Sequence, residues 1–225
     1  MKNTLPYTLI DTAGQTTAVI DVPVPRSKQP TIAQPFMKSV KNIGQVCFIE
    51  KENGTYRLQM MGNELSVNGS LAGAFYLSNK LKSDKYEINL SGLQKTAFYF
   101  NKNIKFPNLI IHKTKDVVEL DGIIYKLIPG FVAPKVTASQ KRILQKLAIK
   151  YPASGIVYFE RNQIQPLLFV KATNTYVWET CCGSASIAYT AISNQKVIVQ
   201  PSGEKVVIKV RGKDIIYSAR CAVLK

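Results

Sequence analysis

The stretch Trp178-Glu179-Thr180-Cys181-Cys182-Gly183-Ser184-Ala185-Ser186 opens a segment, 183–193, that carries no charge and only small, polar-uncharged or apolar side chains. A helix with no charged face is a buried helix. A second segment of this kind, 68–81, follows Gly62-Asn63-Glu64-Leu65-Ser66-Val67-Asn68-Gly69-Ser70 and is charged only near its end, at Lys80. Setting Ser66 against Cys182, 116 positions apart, places Gly69-Ser70-Leu71-Ala72 opposite Ala185-Ser186-Ile187-Ala188. The strand before each also recurs, as Phe48-Ile49-Glu50-Lys51 and Tyr158-Phe159-Glu160-Arg161. Two similarities in the same order predict two related halves, each a sheet wrapped around one buried helix.

The rest of the chain reads as short β-prone runs. They are expected at 7–10, 16–22, 46–50, 56–60, 97–100, 109–111, 117–120, 123–127, 156–160, 166–170, 176–178, 197–200, 206–210 and 215–220. Asn53-Gly54, Asp121-Gly122 and Ser202-Gly203 mark turns between them. Two amphipathic helices are expected as well. One spans 31–41, interrupted by Pro35; the other spans 138–149, with Ile143, Leu144, Leu147 and Ala148 inward and Ser139 as its cap.

A chain of 225 residues, 46% hydrophobic and 20% charged, can bury a sizeable core and is neither disordered nor collagen-like. No apolar run reaches the roughly 18 residues of a membrane helix, and the first residues lack the apolar stretch of a signal peptide. A soluble cytoplasmic protein is therefore expected. The balance of 30 Lys+Arg against 14 Asp+Glu, a net charge of +16, raises nucleic acid as a partner. The lysines are dispersed, however, and zinc-finger, RNP1 and GXXG patterns are all absent, so nucleic acid is disfavoured. The four cysteines contain no CxxC, and His112 is the only histidine. No metal site is expected, and His112, Cys47 and Cys221 read as structural strand residues, with Cys181 a buried strand-end thiol.

The chemistry gathers at the starts of the two buried helices. Backbone N–H groups there have no intrahelical acceptor, and the helix end carries partial positive charge, so carboxylates bind and thiolates are favoured. A cysteine in that position is expected to have its pKa lowered from about 8.5 toward neutrality. If the halves face each other, Ser66 and Cys182 stand on opposite sides of an anion held between the helix ends.

At this point the chain resembles the cofactor-independent amino-acid racemases and epimerases of the diaminopimelate epimerase fold. Within them it is most similar to the histidine racemases of opine-type metallophore biosynthesis. Gly62-Asn63-Glu64-Leu65-Ser66-Val67-Asn68-Gly69 matches the GNEFCGNA-like motif of that family imperfectly. Glu179-Thr180-Cys181-Cys182-Gly183-Ser184-Ala185 matches its ENSCGSG-like motif well. Asp11-Thr12-Ala13-Gly14-Gln15, Gly44-Gln45-Val46 and Ile164-Gln165-Pro166-Leu167-Leu168 fit too, while residues 93–151 match weakly.

The resemblance implies an α+β fold of two pseudo-symmetric halves, each a curved mixed β-sheet or barrel around a central helix. Residues 1–105 and 106–211 form the halves, and the strand within 212–225 returns to the first. It implies an isomerase that needs no pyridoxal phosphate or other cofactor and takes a free amino acid. One thiolate removes the α-proton, and a thiol on the opposite face returns one. By position Cys182 is one base and Ser66 stands where the second cysteine belongs. Val67, Asn68, Gly183 and Ser184 would hold the carboxylate. Gln15, Gln45, Asn63 and Glu179 would line the pocket and orient the ammonium group. Family members often dimerise, so a homodimer is expected. The resemblance favours a polar or basic substrate such as histidine, whereas the +16 charge argues against a cationic one.

Ser66 departs from the family pattern, because a hydroxyl is far too weak an acid for a thiolate's task at neutral pH. Val67 also replaces a glycine, and Gln15 an asparagine. A one-base enzyme, a dehydratase, a non-catalytic binder of an amino acid or anionic metabolite, and an engineered Cys-to-Ser variant all fit these residues.

Overall fold

A computed structural model describes residues 5–39 and 43–224. The N-terminal hairpin pairs β1 (Thr8–Thr12) with β2 (Gln15–Ile20) through Ala13-Gly14, both at positive φ. Gly14 is required there, because a side chain would run into Ser202. Helix α1 (Gln29–Ser39) crosses over to β3 (Ile43–Glu52), which lies parallel to β2. The turn at Asn53-Gly54, again both at positive φ, reverses the chain into β4 (Thr55–Met60). Helix α2 (Val67–Leu81) then leads to β5 (Lys85–Leu90), parallel to β4, and on to the meander of β6 (Ala97–Phe100) and β7 (Asn103–Pro107).

The same path is then traced again. Strands β8 (Ile110–Lys113), β9 (Val117–Leu120) and β10 (Ile123–Pro129) pair antiparallel in turn. Helix α3 (Ala138–Leu147) crosses to β11 (Ala153–Glu160), parallel to β10 and antiparallel to β12 (Gln163–Val170). Strand β13 (Thr175–Trp178) adds to β12, and helix α4 (Gly183–Ser193) follows. The chain returns in β14 (Val197–Val199), parallel to β12, and ends in β15 (Lys205–Arg211), β16 (Asp214–Ser218) and β17 (Cys221–Val223). Strand β16 pairs with β7 as well as β15, and β17 pairs with β1. Position 105 thus falls inside β7, and of the segment 212–225 it is β17 that joins the first strands.

Alternation along the strands explains the layers. In β3, Cys47 and Ile49 belong to the central core around α2, while Val46 and Phe48 pack with Ala33 and Phe36 of α1. In β11, Val157 faces the central core, while Ile156 and Tyr158 meet Leu144 and Ala148 at α3. Each of these strands is covered on both faces, which is why its sequence is a continuous apolar run rather than an alternating one. Helices α2 and α4 lie in the centre, buried from Val67 to Ala74 and from Gly183 to Ala191. The molecule is a mixed α+β fold, mostly sheet, with four α-helices among the described residues.

Several expectations are corrected. Helix α1 runs through Pro35 instead of stopping there; Thr31 and Pro35 are both exposed, so water can serve the carbonyl that proline has no N–H to meet. The remainder of the expected 31–41 helix, 40–41, lies outside the described residues. The cap of α3 is Thr137, not Ser139: its hydroxyl accepts from the Gln140 N–H, and the Gln140 side chain accepts from the Thr137 N–H. Strands β5 and β7 were not expected, because outward Lys85, Glu87 and Lys105 mask the inward Ile88, Leu90, Ile104 and Phe106. Glu50 is bonded by Arg26 and Gln29 rather than lying free in solvent. Replacing Thr137 by Ala should cost about 1 kcal/mol while Ser139→Ala costs almost nothing, measured as a shift in urea unfolding free energy.

Candidate active site

The two buried helices meet at their first turns. A Cβ on Gly183, the first residue of α4, would lie 2.6 Å from Val67 Cγ1 and 2.9 Å from Asn68 Oδ1 of α2. Only glycine permits this approach. The capping residues Ser66 and Cys182 have the same extended backbone (φ −116°, ψ 112° and φ −140°, ψ 104°). Both line one narrow cavity of about 60 Å³. Val67, Asn68, Gly183 and Ser184 line it with them, and their N–H groups belong to first turns, where the helix offers no acceptor.

An amide network ties the cavity wall to both helices. Ser66 Oγ donates to Gln45 Oε1 at 2.6 Å and accepts from the Gly69 N–H at 3.0 Å. Gln45 Nε2 donates to Thr17 Oγ1 (2.8 Å) and to Gln15 Oε1 (3.3 Å). Asn68 Nδ2 donates to Gln15 Oε1 (2.7 Å) and to the Cys181 carbonyl (3.1 Å), and Tyr217 donates to Asn68 Oδ1 (2.6 Å). Gln15 Nε2 in turn donates to the Glu179 carboxylate. Opposite Ser66, the Cys182 sulfur lies 3.5 Å from Ser184 Oγ and 3.8 Å from the Tyr125 hydroxyl, which itself bonds Ser184 at 2.6 Å. The Cys182 N–H is held by Gln200 Oε1 at 2.9 Å, and Gln200 Nε2 donates to Ser186.

Nine of the ten residues singled out from the sequence line this cavity: Gln15, Gln45, Ser66, Val67, Asn68, Glu179, Cys182, Gly183 and Ser184. Asn63 does not. It is exposed, sits at φ +60° in the turn after β4, and accepts a bond from Gln59. The next residue, Glu64, turns inward and takes its place on the wall. Glu64 and Tyr125 were missed; a charged residue inside an otherwise uncharged approach to a buried helix was the available signal for Glu64. Tyr176 and Trp178 pack with Tyr158 and Phe169 beside α3, and His112 is exposed on β8. Among the described residues no three His, Cys, Asp or Glu side chains gather as metal ligands would.

The expected acidic thiol is corrected by the surroundings. Burial and then the nearby Glu179 carboxylate push Cys182 up to about 11, outweighing the hydroxyl of Ser184 and the Ala185 N–H, which favour the thiolate. Glu179 is itself pushed up to about 8, by burial first and by Glu64 second, against the lowering effect of Gln15. Cys47 and Cys181 are raised by burial as well and take no part in the cavity.

No family model matches the chain. It is 24% identical to the histidine racemase of Staphylococcus aureus over 77% of this chain and 76% of that protein. Its fold is shared with a phenazine-biosynthesis PhzC/PhzF-type protein of Clostridium difficile (TM-score 0.61, 14% identity, 97% and 96% of the two chains). A predicted epimerase of Pseudomonas aeruginosa is similar too (TM-score 0.63, 12% identity, 97% and 96%). The sequence likeness and the shared fold together support a diaminopimelate epimerase-like racemase/epimerase family. They likewise support an isomerase of the racemase/epimerase type.

Two outcomes follow for the free protein. Folded Glu179 keeps its proton up to about pH 8, whereas the unfolded chain releases it near an ordinary carboxylate value of about 4.3. Unfolding therefore releases a proton between these values, and rising pH favours the unfolded state. Urea midpoints should fall from pH 5 to pH 8, and Glu179→Gln should flatten that slope. Alkylation of Cys182 by iodoacetamide, followed by peptide mass, should climb about tenfold per pH unit between pH 7 and 10 without a plateau, because thiolate is the reactive form.

Proposed function

We propose that this protein interconverts the configuration of a free amino acid at its α-carbon, with Cys182 as the group that moves the α-proton. One observation carries the reading: Ser66 and Cys182 cap two helices whose first turns meet on a single cavity. Residues 1–105 and 106–211 would be the two halves that supply them, with β17 returning to the first.

The α-carboxylate would lie against the first-turn N–H groups of Val67, Asn68, Gly183 and Ser184. The negative charge that develops when the α-carbon loses its proton spreads toward that carboxylate, and the helix ends are already oriented to stabilise it. The α-ammonium would face Glu179. A cation there draws the proton off Glu179 and balances the carboxylate charge that results, so that this charge does not hold the Cys182 thiol up. The amide network of Gln15, Gln45 and Asn68 would keep these groups in place without supplying a proton acceptor.

Ser66 makes the two faces unequal. Its proton is already given to Gln45, and its oxygen accepts from Gly69. Proton transfer on the Cys182 face should therefore be much faster than on the Ser66 face, which favours a predominantly one-base enzyme. The substrate is an amino acid, in keeping with the Staphylococcus aureus histidine racemase.

The test is solvent deuterium incorporation at the α-carbon of a panel of L- and D-amino acids, on the protein and on Ser66→Cys. Exchange in one enantiomer with little inversion is expected for the protein. A rise in inversion of about tenfold or more, on the scale of a positioned acid–base group, is expected for Ser66→Cys. Absence of exchange in both proteins, with the fold intact and Cys182 reduced, would overturn the reading in favour of a binding protein.

A further inference from the structure

Tyr125 lies behind the cavity wall, not on it. The residue is fully buried on β10, yet its hydroxyl is 2.6 Å from Ser184 Oγ and 3.8 Å from the Cys182 sulfur. Ser184 Oγ is 3.5 Å from the same sulfur, so the three atoms close a triangle. The fold makes room for the ring that reaches there. Gly155 stands opposite Tyr125 in the β10–β11 pair, and a Cβ on it would come within 2.3 Å of the ring. A glycine inside a buried strand marks such a close approach.

Counting protons gives the triangle a direction. Tyr125 and Ser184 bring two hydroxyl protons, and their mutual bond uses one of them. The other is free to point at the sulfur, whichever hydroxyl carries it. A bond to an ionised acceptor is the stronger kind, so the pair favours the thiolate over the thiol. The chain from Tyr125 to Ser184 to sulfur uses the two shorter distances, and hydroxyls in series polarise one another. Burial holds the Tyr125 phenol well above its ordinary value, so it keeps the proton it donates. The other half is built differently. Asn68 is the second residue of α2 as Ser184 is of α4, and its side chain is engaged by Gln15, the Cys181 carbonyl and Tyr217 instead.

We propose that Tyr125, acting through Ser184, is a positioning residue that orients the Cys182 sulfur and stabilises it as the thiolate. This rests on the reading of Cys182 as the group that moves the α-proton, and deepens it. The other ionisable groups around the sulfur do not help. Glu179, when ionised, raises Cys182, and Glu64 lines the same cavity. Cys181 and Tyr217 are held protonated by burial. No Lys, Arg or His side chain lines the cavity among the described residues. The two hydroxyls and the Ala185 N–H are therefore what favours the thiolate.

Alkylation of Cys182 by iodoacetamide, followed by peptide mass in the free protein, tests this without a substrate. Tyr125→Phe keeps the ring and removes the donor. It should slow alkylation about threefold at each pH from 7 to 10: a tenfold loss of thiolate, partly offset because a less acidic thiol gives a more nucleophilic anion. Cys221, which bonds Thr12, should react as before. Ser184→Ala should slow Cys182 by at least as much, and the double variant should lose less than the product of the two single losses. Unchanged or faster alkylation in Tyr125→Phe, or a full product in the double variant, would overturn the proposal. If Tyr125→Phe does not fold, Ser184→Ala decides, since an unchanged rate there is equally fatal. In α-deuterium exchange Tyr125→Phe should lower kcat about threefold or more with KM within about twofold; a loss carried by KM alone counts against the role. Slowed alkylation together with no exchange in the unaltered protein removes the isomerase reading and leaves the role of Tyr125 in place.

Discussion

The contact of Gly183 with Val67 and Asn68 sets the terms for everything around it. Two helices that touch at their first turns bring together two sets of backbone donors with no acceptor of their own, and two partial positive charges. Such an arrangement is costly unless the ends are insulated or occupied. Polar groups around the junction offset part of that cost, Asn68 from the first turn of α2 and the others from outside the helices. Gln45, Gln15 and Asn68 form a chain of amides across the junction, and Gln200 holds the N–H of Cys182. Buried polar networks of this kind work only when their members are satisfied. Those at this junction are satisfied.

Two different capping groups then turn a nearly symmetric frame into an asymmetric site. Ser66 is a structural cap in the ordinary sense, with its oxygen turned to the Gly69 N–H. Cys182 makes no such side-chain cap bond, and its sulfur lies with the hydroxyls of Ser184 and Tyr125. The frame repeats while the chemistry does not.

Much of this was legible in the sequence. Freedom from charge identified 183–193 and most of 68–81 as central helices, and the Asn53-Gly54 and Asp121-Gly122 pairs located hairpins. The helix starts also named Ser66, Val67, Asn68, Cys182, Gly183 and Ser184 of the cavity wall. What escaped was whatever depends on the environment of a side chain instead of its place in a motif. The thiol of Cys182 looked acidic from its position on a helix, and burial beside Glu179 reverses that. Asn63 matched a motif position, but its positive φ turns it outward and sends Glu64 in. Thr137 and Ser139 are both plausible caps by composition, and only the reciprocal bond with Gln140 decides between them.

The pairing of β17 with β1 bears on how the molecule comes into being. Thr12 and Cys221, which face each other across it, are 209 residues apart in sequence. Closing so long a loop early is entropically expensive, and folds built on such distant pairings form slowly. During synthesis the first sheet would remain with an open edge until nearly the whole described chain had emerged. An unpaired strand edge is a template for association with other chains. The last strand is therefore also a latch: it seals β1 against intermolecular pairing only after both buried helices exist to be packed against each other.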